Sequence, residues 1–98
     1  MASELDETIK RLNAHKGVEK IVIINSEGIP IRTSPATMEH MTAVQYPALL
    51  QPLVTKSKQM IKFLDATNDF MNLRIHSAKN EILVFPDRDY TLIVVQAS

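Results

Sequence analysis

Residues 18–33 read VEKIVIINSEGIPIRT, and the parsing of this run decides the fold. Ile21, Val22, Ile23 and Ile24 are apolar and β-branched at consecutive positions. Successive side chains of a strand point to opposite faces, so an unbroken apolar run predicts a strand over 18–25 that is covered on both faces. Ser26-Glu27-Gly28 then turns the chain into a second strand over 29–33. A phosphate loop would need several glycines and a following helix. Here there is one glycine, a neighbouring Glu27 that would repel phosphate, and a strand after it, so the turn reads as an ordinary hairpin. Pro30 cannot donate to a ladder, which sends the second strand to a sheet edge.

Working outward, residues 90–96 (YTLIVVQ) repeat the unbroken apolar pattern at Leu92 to Val95. Residues 70–76 (FMNLRIH) alternate instead, with Met71, Leu73 and Ile75 on one side and Asn72, Arg74 and His76 on the other, the mark of a strand with one wet face. Residues 81–85 (EILVF) lie between them, bounded by the turns SAKN and PDRD. The two strands apolar on both faces belong in the centre, which yields the spatial order 2-1-5-4-3.

Two helices complete the chain. Over 3–16, Ser3 and Asp6 form a variant capping box, Leu5, Ile9 and Leu12 make one apolar stripe, and Gly17 is placed as the C′ residue. Residues 34–43 read as a polar loop, and a longer helix is expected over 44–64. There Leu49, Leu53, Ser57, Met60, Ile61 and Leu64 share a face, with Leu50 and Val54 beside it. Pro47 suits a first turn, whereas an interior Pro52 costs about 3 kcal/mol or kinks the helix. The regular helix therefore either starts near Gln51 or bends. One helix on each face of a five-stranded antiparallel sheet makes an α/β sandwich of the α+β kind.

The chain has 98 residues, the length of one domain spanning 1–98. A domain of this size buries little more than ~60% of its unfolded surface, so added partners are a natural source of buried area. Eleven basic and eleven acidic residues cancel, which favours neither nucleic acid nor an anionic membrane. The absence of cysteine excludes disulfides, thiolate zinc sites and a cysteine nucleophile. No apolar run approaches the ~18 residues of a membrane span, and the N-terminus lacks a signal core, so a soluble intracellular protein is expected.

Chemistry-bearing patterns are weak. His15, His40 and His76 have no zinc-site spacing, and Asp65 and Asp69 lack the acidic spacing and glycine of a calcium loop. Asp87 and Asp89 in PDRDY suit local turn bonding. Ser26, Ser34, Ser57 and Ser77 lie in no GxSxG. Phe70, Phe85 and Tyr90 fit core packing better than base stacking. No enzyme activity, cofactor or metal is expected. Association surfaces are stronger: the 70–76 edge has neither proline nor lysine to blunt it, and the 49–64 helix is apolar over more than one stripe. Two copies joining these edges across a two-fold axis and packing their helices together would make an isologous dimer.

The pieces KGV, NSEGIPI, QY, ND…LRI, KNEI and PDRDY, in this order, closely resemble the roadblock-type light chains of cytoplasmic dynein, nearly end to end. The resemblance implies a roadblock (profilin-like) sheet with helices on both faces. It implies a non-catalytic adaptor of the cytoplasm and cytoskeleton that forms homodimers, or pairs with a paralogous light chain, binds the dynein intermediate chain, and helps link cargo for microtubule-based transport. Carried over, the dimer and partner surface comprises Leu50, Leu53, Val54, Ser57 and Ile61 on the helix and Phe70, Met71, Asn72, Leu73, Arg74 and Ile75 on the strand. A partner would dock an amphipathic segment against the paired helices. The likeness is weaker over 34–62, where the SPATMEHM loop is longer than usual and Pro47 and Pro52 are unexpected. Related roadblock domains act as scaffolds regulating small GTPases, which supplies the alternative reading.

Overall fold

A computed structural model describes residues 3–98. Its elements run α1 (Glu4–Asn13), β1 (Val18–Asn25), β2 (Pro30–Ser34), α2 (His40–Leu64), β3 (Leu73–His76), β4 (Asn80–Pro86) and β5 (Tyr90–Ala97). The strands form one antiparallel sheet in the order β2-β1-β5-β4-β3, as the apolar patterns require. Ile21, Val22, Ile23 and Ile24 are all at most 1% exposed, so the run that opened the sequence is covered on both faces.

Register separates the two faces. Val22 lies opposite Ile93, and Ile93 opposite Val84. These three, with Ile24, pack against Leu50 and Val54 of α2. On the other face Ile23 lies opposite Arg32 and Ile21 opposite Ser34. Arg32 Nε donates to Asp6 Oδ1 at 3.0 Å, and Asn13 Nδ2 donates to Ser34 Oγ at 2.9 Å. Both contacts tie α1 to the Ile21/Ile23 face, so the two helices cover opposite sides of the sheet.

The hairpin turn is built by Asn25, whose Oδ1 accepts the N–H groups of Glu27 at 2.9 Å and Ile29 at 3.0 Å. Gly28 adopts φ +84°, and a Cβ there would lie 2.9 Å from Gln51 Nε2 on α2. The turn thus needs glycine both for its left-handed backbone and for the approach of α2.

Several boundaries differ from the sequence reading. Helix α1 ends at Asn13, three residues before 16, because no large apolar side chain follows Leu12 before Gly17 to hold another turn on the sheet. Its C-cap is Ala14, so Gly17 is not the C′ residue; with φ +96° it serves the turn into β1. The Ser3–Asp6 capping box is present. Helix α2 starts at His40, four residues before 44, and runs unbroken through both prolines. Neither a start near Gln51 nor a first-turn place for Pro47 holds. Each proline leaves the carbonyl four residues earlier, that of Ala43 or Ala48, without its helical N–H. Burial of Ala43, Pro47, Leu50 and Val54 along one face offsets that loss. Strand β3 is shorter than 70–76: residues 70–72 leave the ladder as Phe70 turns inward onto the core cluster.

Candidate functional site

Helix α2 has three sides with different chemistry. The side over the sheet carries Ala43, Pro47, Leu50 and Val54, all buried. One flank carries Leu49, Leu53, Met60 and Leu64, which are 68%, 48%, 53% and 73% exposed. Their spacing repeats on one line of a 3.6-residue helix, so they form a continuous apolar stripe rather than scattered surface leucines. A cavity of about 310 Å³ opens along this flank between Tyr46, Leu49 and Leu50 of α2 and Lys20 and Ile82 of the sheet. Lys20 of β1 and Ile82 of β4 both lie opposite Val95 of β5, so the stripe overhangs this end of the central strands, the end away from the β1–β2 and β4–β5 turns. Lys20 Nζ donates to Tyr46 Oη at 3.4 Å and lies 5.8 Å from the ring centre, which closes the N-terminal end of this cavity.

The opposite flank carries Gln51, Thr55 and Lys58 and borders a second cavity of about 460 Å³, between α2, the β1–β2 turn and the β4–β5 turn.

Beyond Leu64 the chain is pinned before it enters β3. Lys62 Nζ pairs with Asp69 Oδ1 at 2.7 Å and donates to the Ala66 carbonyl at 3.4 Å. The Asp65 carboxylate accepts the Thr67 hydroxyl at 2.7 Å and the Thr67 N–H at 3.0 Å, which holds its pKa below the usual aspartate value. Met71, which follows this turn, is 76% exposed, and Phe63 in the last turn of α2 is 90% exposed. Among the described residues β3 pairs only with β4, and its outer edge is unpaired.

The residues expected at the interface fall into distinct places. Leu53 is on the exposed stripe, and Ser57 lies half-buried below it, its hydroxyl donating to the Leu53 carbonyl at 2.8 Å. Ile61 is half-buried. Leu50 and Val54 do not sit on an exposed helix face. They are 4% and 9% exposed and belong to the sheet-facing core, because their spacing aligns them with Ala43 and Pro47. Leu73 and Ile75 lie opposite Val84 and Ile82 on the α2 side of the sheet and pack against the core, as does Phe70. Met71 and Asn72 are exposed in the approach to β3. Arg74 points to the other side of the sheet and pairs with Glu81 Oε1 at 2.9 Å.

Sequence reading missed Phe63 and the early turns of α2, including Met41, 74% exposed. The only signal for Phe63 is an aromatic residue that fits neither apolar stripe. Among the described residues no group of His, Cys, Asp or Glu could hold a metal ion. Among the described residues no helix is long and apolar enough to cross a membrane.

Residues 4–97 match the family described as the Roadblock/LC7 domain. Among solved structures, the chain is similar to the crystal structure of a Roadblock/LC7 domain from Streptomyces avermitilis. The TM-score is 0.71 at 12% identity, covering 83% of this chain and 67% of that one, which shows a shared fold. The family includes dynein light chains and regulators of small GTPases. Its members form dimers, bind partner proteins and are generally non-catalytic adaptors.

Proposed function

The chain belongs to the Roadblock/LC7 domain family, and we propose that it works as a homodimeric, non-catalytic light chain of cytoplasmic dynein that binds the intermediate chain and helps link cargo to microtubule transport. Two observations support the self-association: the exposed stripe of Leu49, Leu53, Met60 and Leu64 on α2, and the unpaired edge of β3. A two-fold axis beside β3 would pair Leu73–His76 with their copies and bring the two stripes toward each other. One operation would thereby satisfy open backbone groups and cover apolar surface. Leu53, Ser57, Ile61 and Met71 to Ile75 line this seam in the proposal, while Leu50 and Val54 support it from beneath.

The motor assignment is supported by the runs NSEGIPI, KNEI and PDRDY, which resemble dynein light chains in particular. An intermediate-chain segment would lie as an amphipathic helix across the paired α2 helices, the helix-in-groove mode. The cytoplasm, on microtubules, is the corresponding location. Two measurements test the reading. Sedimentation equilibrium of the pure chain should show a dimer at micromolar concentration; a monomer overturns the seam. Co-precipitation with purified dynein intermediate chain should succeed. Recovery of a small GTPase with no binding of intermediate chain would replace the motor role with the GTPase-scaffold role.

A further inference from the structure

We propose that the cavity on the basic flank of α2 is a second, separate docking site, which takes an acidic segment of another protein carrying a bulky apolar side chain. The cavity of about 460 Å³ falls within the roughly 300–1,000 Å³ typical of ligand pockets. Leu50, Val54, Val84 and Ile93 line it, and all four are buried members of the core cluster. They form a small apolar floor beneath walls that are mostly polar, from Asn25, Ser26, Gln51, Thr55 and Thr91, so one apolar side chain of an occupant would rest on the floor while its polar groups meet the walls.

The rim is cationic. Lys58 of α2 and Arg88 of the β4–β5 turn both border the cavity, and the three ion pairs of the described residues include neither. Asp87, whose carboxylate accepts the Arg88 N–H at 2.7 Å, leaves the lining residues with a net charge of +1 from Lys58, Arg88 and Asp87. Between its N-cap Glu39 and its C-cap Asp65, α2 contains no Asp or Glu, so nothing on the helix offsets Lys58. A neighbouring copy's α2 brings more lysine and no carboxylate, which makes a second copy a poor occupant. An acidic partner gains a charge-assisted contact at Lys58 and Arg88.

The site is also preorganised. Asn25 rigidifies the β1–β2 turn that forms one wall, and Gln51 lies against Gly28 of that turn. The flank that carries it is the one turned away from the apolar stripe, so occupancy here does not require the seam to open.

The experiment uses the ¹⁵N-labelled full chain titrated with two amidated, acetylated hexapeptides, Glu-Asp-Leu-Phe-Asp-Glu and its neutral counterpart Gln-Asn-Leu-Phe-Asn-Gln. The acidic peptide should give saturable shifts at Thr55, Lys58 and Arg88, and the neutral one should bind about tenfold more weakly, a 1.4 kcal/mol difference. Lys58→Glu and Arg88→Glu should each remove the preference while leaving circular dichroism and the sedimenting mass unchanged; Lys58→Gln provides a milder variant should charge reversal disturb the fold. Equal binding of both peptides, shifts centred on Leu49 and Leu53 instead, or no saturable shift overturns the proposal. Because the sedimenting mass is read independently, loss of the dimer would count against the seam and not against this site.

Discussion

Leu53 and Val54 are neighbours in sequence, yet the fold gives them opposite jobs, and truncating each to alanine separates the seam from the core. Leu53 is 48% exposed in the protomer. Burying a leucine completely contributes roughly 1.5–3 kcal/mol, so covering the half still open contributes about 1 kcal/mol per copy. A two-fold interface counts the change twice, which makes about 2 kcal/mol per dimer and weakens the dimer constant about 30-fold. Val54 is 9% exposed and packs on Val22, Ile24, Val84 and Ile93. Val54→Ala removes two methyl groups at about 0.8 kcal/mol each and leaves a small cavity, about 2 kcal/mol in all. For a domain of this size that lowers Tm by about 8–16 °C. Sedimentation equilibrium over a dilution series reads the first effect. Thermal melts at two concentrations read the second, which should be the same in both. If Leu53→Ala instead lowered Tm as Val54→Ala does and left the dimer constant within about threefold of the wild type, the division of α2 into flanks would be wrong.

Leu73→Asp places a charge on the core side of the free β3 edge, so the dimer should dissociate or the chain unfold; a folded dimer by sedimentation and circular dichroism would contradict the packing. The Asp6 carboxylate is held below its ordinary pKa of 3.8 by the Ser3 hydroxyl, the Ser3 N–H and Arg32. Its stabilising effect is therefore present above that pH and lost as pH falls through the lowered folded value, and protection of the Glu4–Asn13 amides, relative to their intrinsic exchange at each pH, should fall there in the wild type. In Asp6→Asn, exchange should be faster already at neutral pH. Pro52 is exposed and interior to α2, so Pro52→Ala restores an N–H toward the Ala48 carbonyl and should raise stability by up to about 3 kcal/mol; an unchanged Tm would show the helix to be already relaxed around the ring. Gly28→Ala meets both a φ of +84° and Gln51 at 2.9 Å, and should cost about 1–2 kcal/mol by chemical denaturation.

Strand order and the position of each strand's dry face are legible in the amino-acid sequence alone, because periodicity in a strand reports burial directly. Ile21 to Ile24 and Leu92 to Val95 can only be central, and Pro30 can only be at an edge. The Ser3–Asp6 cap is equally legible, since its partners lie three residues apart and no distant contact is involved. Helix α2 resists such reading. Local propensity counts Pro47 and Pro52 as interruptions, and only the sheet beneath Ala43, Pro47, Leu50 and Val54 supplies the burial that carries the helix from His40 to Leu64. The same long-range packing decides which of two adjacent apolar stripes turns inward. By spacing alone Leu50 and Val54 are as good candidates for the outer face as Leu49 and Leu53, and it is contact with Val22, Val84 and Ile93 that takes them into the core. The cavity between Lys58 and Arg88 likewise exists only because residues far apart in the chain meet there, a juxtaposition that no spacing along the sequence encodes.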